Sequence, residues 1–258
     1  MPALYPVERT PLDVGEIVRR NGHVLAAQAS MKPYQIRALA DMARCRTAAL
    51  GGHLDKCRDC GHAQPSYNSC RNRHCPKCQA LAQERWIHAR EQRLLPVPHF
   101  HVVFTLPSQL RALAAFRPEP MFSALIQAAT GTLIELGRSR LHADLGVTAI
   151  LHTWTRDLRF HPHVHCVVTG GGLSEDGRRW VASPGYLLPV KPMGAMLRTK
   201  MMGAVSRLRD QGTFARFEGV PNLDTWARLY ERLASVPWVV YAKKTLVNET
   251  HVVRYLGR

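Results

Sequence analysis

The stretch Arg159-Phe160-His161-Pro162-His163-Val164-His165-Cys166-Val167-Val168 sets histidines at every second position among apolar neighbours. Side chains two apart share one face of a β-strand, so a period of two marks a strand between two unlike environments. On this reading Val164 and Cys166 face a core, while His163 and His165 share the opposite face and can present two imidazoles to one ion. Two imidazoles leave coordination positions open for water or a phosphate oxygen, as a Lewis-acid site requires. Two ordinary histidines on a solvated face would give the same pattern, so the strand alone leaves both readings standing. His161 has the right parity, but Pro162 cannot donate to a ladder, so the strand is expected to begin there with His161 as a reserve ligand.

A third ligand is expected from a neighbouring strand. Val147–Thr155 reads as a strand joined to Phe160–Thr169 by a short turn over 156–158, which would fold His152 back alongside His163. His101, on a β-rich run from His99 to Leu106, competes for the same role. Gly170–Gly172 are expected to break the second strand, and Asp176-Gly177 to form a hairpin turn in the insertion up to Pro192. Helical spacing recurs over Met121–Leu136, Met193–Arg209, Leu223–Ala234 and from Glu249 onward, and Trp238–Ala242 reads as a strand. The expected class is α+β, with a mostly antiparallel sheet.

Upstream the composition changes. Six of the seven cysteines fall between Cys45 and Cys78, in a segment poor in aliphatics that cannot bury a core and needs a metal to fold. Crowding of this kind, with no secretory leader visible, points to metal rather than disulfides. Cys57-Arg58-Asp59-Cys60 and Cys75-Pro76-Lys77-Cys78 are two C-x-x-C turns, and together they offer the tetrahedral four-thiolate set that zinc prefers. Cys45, His53, Cys70 and His74 form a second candidate set, with His62 in reserve, so one structural zinc or two are both open. The expectation is a zinc-ribbon-like module over about 45–78 within an N-terminal region 1–95. Helices flank it over Pro33–Arg44 and 79–95, and Pro96 and Pro98 part it from a second domain, 96–258. Residues 1–30 show little pattern.

Lys and Arg exceed Asp and Glu by 35 − 19 = 16, spread along the chain rather than gathered in a tail. A folded basic face suits a polyanion, because each neutralised phosphate releases a counterion. Arg71, Arg73 and Lys77 lie between and beside the cysteine turns and are candidate DNA contacts. No run approaches the roughly 20 apolar residues of a membrane span, and a cytoplasmic protein is expected. Near the C-terminus Asn248 is a candidate N-cap, Val252, Val253 and Leu256 form an apolar stripe, and Tyr255 is flanked by Arg254 and Arg258. A tyrosine beside a metal-polarised phosphodiester can attack it, with Arg254 steadying the phosphate.

Five pieces in order carry a family resemblance: Ser69–Gln79 with its Arg-His-Cys-Pro-Lys-Cys run, His99–Pro107, Leu151–Trp154, His161–Cys166 with Gly170–Gly172, and Tyr255-Leu256-Gly257-Arg258. Together they resemble the bacterial transposases of insertion-sequence-ninety-one type, members of the HUH endonuclease superfamily, over roughly residues 35–258. The resemblance implies a zinc-binding N-terminal domain and an HUH-type nuclease domain. It also implies magnesium or manganese at His163 and His165, Tyr255 as nucleophile, and rolling-circle transfer of single-stranded element ends through 5′-phosphotyrosine links. Two-tyrosine members carry a second tyrosine four residues after the first, one position beyond Arg258, and a longer C-terminal region. The chain is therefore read as a truncated copy. A DNA-binding remnant without catalysis is the alternative reading, and a replication initiator or relaxase is a further one.

Overall fold

A computed structural model describes residues 13–28, 31, 33–155, 157, 159–183, 185, 188–217, 223–244 and 249–256. The chain divides into two compact units, the first closing at Ala89 and the second running from Arg90 to Leu256.

In the first unit α1 (Val14–Gln28) and α2 (Pro33–Arg44) precede a two-stranded antiparallel hairpin, β1 (Gly52–Lys56) and β2 (Ala63–Tyr67), and then α3 (Pro76–Glu91). Helix α1 was not expected from the sequence. Its apolar Val14, Ile17, Val24 and Leu25 are exposed, so they leave no stripe to read. The signal that marks it is a cap: the Asp13 carboxylate accepts the Glu16 N–H at 2.8 Å, and Glu16 pairs with Arg19 and Arg20 one turn on. Among the described residues of this unit only Ala38, Cys45, Cys75 and Ile87 are buried apolar side chains. That is too little to hold a fold by hydrophobic burial alone.

The second unit contains β3 (His99–Thr105), α4 (Arg111–Phe116), α5 (Pro118–Leu136), β4 (Ala143–Trp154), β5 (Phe160–Ser174), β6 (Trp180–Ala182), α6 (Val190–Asp210), α7 (Leu223–Ser235), β7 (Val240–Lys244) and α8 (Glu249–Leu256). Its sheet runs β4-β5-β3-β7 with β6 on β5, and every pairing is antiparallel. One face is the core. Phe100, Val102 and Phe104 of β3 and Val164, Cys166 and Val168 of β5 pack with Leu125, Leu133, Leu197, Met201 and Leu233 of the helices. The alternate residues of the same strands, His101, His163 and His165 among them, therefore point away from that core.

Strand β5 does not stop at the glycines. It continues to Ser174, with Gly171 at φ 137 and with β6 paired to Gly171, Gly172 and Leu173. A Cβ built on Gly171 would meet the Val181 carbonyl oxygen at 2.3 Å, so glycine here allows close strand approach instead of ending the strand. The Asp176-Gly177 turn lies between β5 and β6, with Gly177 at φ 68. Among the described residues no helix is long and apolar enough to cross a membrane.

Candidate metal centres

Four thiols of the first unit converge. The Sγ atoms of Cys45, Cys70, Cys75 and Cys78 all lie within 4.8 Å of one another, with Cys45 to Cys78 at 3.5 Å and Cys70 to Cys78 at 3.6 Å. Cys45 follows α2, Cys70 follows β2, and Cys75 and Cys78 open α3. The base of the β1–β2 hairpin joins the first two segments. Arg46 N–H donates to the Asn68 carbonyl at 3.1 Å, and Asn68 N–H donates to that of Gly51 at 3.0 Å. The Asn72 side chain ties the following loop to α2 through Asp41 at 2.9 Å. Arg71 sits at φ 54, a left-handed conformation that aims its N–H at Cys78.

Spacing had paired Cys75 and Cys78 with Cys57 and Cys60. The structure instead pairs them with Cys45 and Cys70, which the sequence had assigned to a second set with His53 and His74. The reason is the hairpin between them. Cys57 and Cys60 occupy its turn, exposed, while Cys45 and Cys70 flank its base, and five strand residues at about 3.4 Å each separate the two. The turn is itself a hydrogen-bonded C-x-x-C knuckle: Cys57 N–H donates to the His62 carbonyl at 2.8 Å and Gly61 N–H to that of Cys57 at 3.1 Å. Amide hydrogens of Cys60 and Asp59 hold the Cys57 thiol below its usual range. His62 and His74 are exposed, and His53 makes an exposed contact with Asp55 at 3.4 Å. None of the three histidines joins the sulfur cluster.

The cluster suits a soft cation. Burial pushes the Cys70 thiol up to about 12 and also raises Cys45. Burial alone would raise Cys78 too, yet hydrogen bonds from Cys45, Cys70 and the Arg71 amide bring it down to about 7. Four sulfurs so close cannot all ionise without a compensating charge, and backbone N–H groups already point at three of them. That donor set fits zinc.

In the second unit the candidate ligand atoms of His152, His163 and His165 also lie within 4.8 Å of one another. Register explains it: His152 of β4 is directly opposite His163 of β5, and Ile150 is opposite His165. His101 is not part of this trio. It lies behind His165, with Nε2 at 2.8 Å from the His165 Nδ1 and the rings stacked 5.0 Å apart. Each imidazole of the trio has one nitrogen engaged. His163 Nδ1 donates to the His161 carbonyl at 2.6 Å, and His152 Nε2 donates to the Leu256 carbonyl of α8 at 3.3 Å. One nitrogen per ring stays open for an ion, the arrangement by which outer partners fix tautomer and orientation. Burial lowers His101 and His163, and His165 falls to about 3 through burial together with the charges of His152, His101 and His163. His101, His163 and His165 are therefore neutral near pH 7, the form in which an imidazole binds a divalent cation.

The structure engages two of the expected DNA contacts elsewhere. Lys77 is hydrogen-bonded to Asp13, and Arg254 ion-pairs with Glu91 at 2.8 Å, while Arg71 and Arg73 stay exposed. Tyr255 lies on α8, but its side chain, together with Asn248 and Arg258, falls outside the described residues. Sequence reasoning missed Arg111, whose Nη2 donates to His161 Nδ1 at 2.7 Å across 50 residues. No local pattern could have signalled a contact that only the fold creates.

A family model described as "Transposase zinc-binding domain" matches residues 17–106, and one described as "Putative transposase" matches residues 146–258. "Putative transposase y4qJ" of Sinorhizobium fredii is 38% identical over 257 residues, covering 97% of this chain and 65% of its own length. "Transposase for insertion sequence element IS801" of Pseudomonas savastanoi pv. phaseolicola is 28% identical over 249 residues, covering 91% of this chain and 57% of its own. The chain thus spans 65% and 57% of the lengths of these two relatives. Among solved structures, the conjugative relaxase TrwC in complex with oriT DNA covers 61% of this chain and 70% of its own, at 14% identity and a TM-score of 0.33. A likeness that distant carries no argument for this chain.

Proposed function

Since the chain belongs to the transposases of insertion-sequence-ninety-one type, we propose that it nicks single-stranded element ends and transfers them through Tyr255. The observation that carries this reading is the trio His152, His163 and His165, with one nitrogen of each held by a partner, contacted by the helix that bears Tyr255. Magnesium or manganese bound there supplies Lewis-acid polarisation of a phosphodiester. The chain's own part is to bring three imidazole nitrogens together around one point. The Tyr255 oxygen forms a bond to phosphorus, the bond from phosphorus to the 3′ oxygen breaks, and a 5′-phosphotyrosine remains. The phenol proton passes to solvent and the departing 3′ oxygen takes one up.

In this reading zinc at Cys45, Cys70, Cys75 and Cys78 is structural, because all four coordination positions are protein sulfur. It fixes the loop that presents Arg71 and Arg73 to the phosphate backbone. The test is incubation of the chain with manganese and a single-stranded oligonucleotide carrying an element end. A covalent protein–DNA adduct that disappears in Tyr255→Phe is the expected result. Binding of the strand with no adduct would leave the remnant reading in its place.

A further inference from the structure

Arg111 is half-buried at the start of α4. Its Nη2 donates to the His161 Nδ1 at 2.7 Å. The His161 ring lies 5.3 Å from that of the metal-trio member His163, and the His161 carbonyl accepts from His163 Nδ1 at 2.6 Å. Among the described residues Arg111 pairs with no carboxylate, and its Nε is buried without a hydrogen-bond partner. Taking a guanidinium partly out of water with only a neutral imidazole as partner is costly. A divalent cation in the trio would add like charge a short distance away and deepen the cost. An anion bound between the two would remove both penalties, and a planar guanidinium is the side chain best shaped to grip a phosphate.

Building on the phosphodiester reading above, we propose that Arg111 clamps the phosphodiester undergoing cleavage, with His161 as the prop that aims it. Because a guanidinium always donates, the His161 Nδ1 must accept, which leaves the His161 Nε2–H as a further donor toward the same anion. Both groups then bind the substrate from the side of β5 where α4 begins, separately from the ion.

The test uses the full chain carrying Tyr255→Phe, so that binding is read without cleavage. Two oligonucleotides are compared in manganese: one native, and one with a neutral methylphosphonate at the linkage that the parent chain cleaves. The neutral linkage is expected to weaken binding on the order of tenfold to a hundredfold with Arg111 present, the range for a lost charge-assisted contact. Arg111→Gln is expected to weaken the native strand and to shrink that discrimination to about threefold, while Arg111→Lys keeps an intermediate value. If Arg111→Gln loses its cooperative thermal transition, Arg111→Lys alone decides, because full discrimination there overturns a role for the fork. Equal discrimination in the parent and Arg111→Gln overturns the clamp and leaves the phosphodiester reading intact. A parent indifferent to the neutral linkage overturns both.

Discussion

In the first unit four sulfurs from three separate segments converge where, among the described residues, only four apolar side chains are buried; in the second, three imidazoles project from two paired strands backed by a continuous core. The order of cause and effect differs between the two. Without an ion in the thiol cluster, α2, the hairpin base and α3 are left, among the described residues, with a few hydrogen bonds and little buried apolar surface to hold them in register. The histidines need no ion for their placement, because the β4–β5 ladder sets His152 opposite His163 by itself. One centre makes its fold, and the other is made by its fold.

The largest expected effect breaks the symmetry between them. Stripping zinc with a strong chelator should abolish amide-exchange protection in α2, the hairpin and α3, while β3, β4 and β5 stay protected. Hydrogen exchange read by mass spectrometry would show it, and Cys70→Ala should reproduce it without chelator. Loss of protection in both units together would mean that the contrast is mistaken. Next in size, His163→Ala should lower manganese affinity by more than about a hundredfold, since it removes a ligand rather than an outer partner. Its thermal transition should move little, because His163 lies off the core face. Titration calorimetry and a melting curve measure the two.

The same contrast decides what could be read from the sequence. The histidine cluster was legible because its side chains sit on strands, where parity and a short turn determine who faces whom. His152, eleven residues before His163, follows from that geometry. The thiol centre was legible only as a composition. Which cysteines combine depends on a hairpin, Gly52–Tyr67, whose strands are almost wholly exposed and carry no apolar alternation. Without knowing that Cys57 and Cys60 sit at its tip, C-x-x-C spacing favours the wrong partners for Cys75 and Cys78. Helix α1 was hidden for a related reason, its apolar residues being exposed. The glycines of β5 misled in the opposite sense. A lone sequence cannot distinguish a glycine that ends a strand from one that admits another strand closely, and the Val181 carbonyl beside Gly171 decides it.

Outer partners give effects of middle size. His101→Leu removes the group that holds His165 Nδ1 and should weaken manganese binding by about tenfold to a hundredfold, whereas His101→Gln can still accept a hydrogen bond and should lose less. Equal losses in the two variants would assign His101 to packing alone. Acid should act on the second unit even without metal. The His165 pKa is lowered from 6.5 to about 3, so below pH 6.5 the unfolded chain takes up a proton that the folded chain refuses. Stability from this group is therefore complete above pH 6.5 and is lost as pH falls from there toward about 3. Urea midpoints of the metal-free protein should be flat from pH 8 to 7 and decline at pH 5. His165→Asn should flatten that decline.

The smallest expected effect tests the cysteine assignment most directly. Cys57 and Cys60 are exposed, and their knuckle is closed by main-chain hydrogen bonds that do not involve the sulfur of either. Replacing both by serine keeps every one of those bonds and leaves a hydroxyl in place of the Cys57 sulfur to accept from the Cys60 and Asp59 amides. If the structural ion is held by Cys45, Cys70, Cys75 and Cys78 alone, the double variant should fold with the parent's exchange protection in α2 and α3. The midpoint of its zinc-dependent transition should shift by no more than about 0.5 kcal/mol, the scale of an ordinary surface change. Cys75→Ser must behave quite differently, because Cys75 is 2% exposed and belongs to the sulfur cluster. Collapse of both variants to the same unfolded state would return Cys57 and Cys60 to the ligand set, and the hairpin would then have to fold back on its own base.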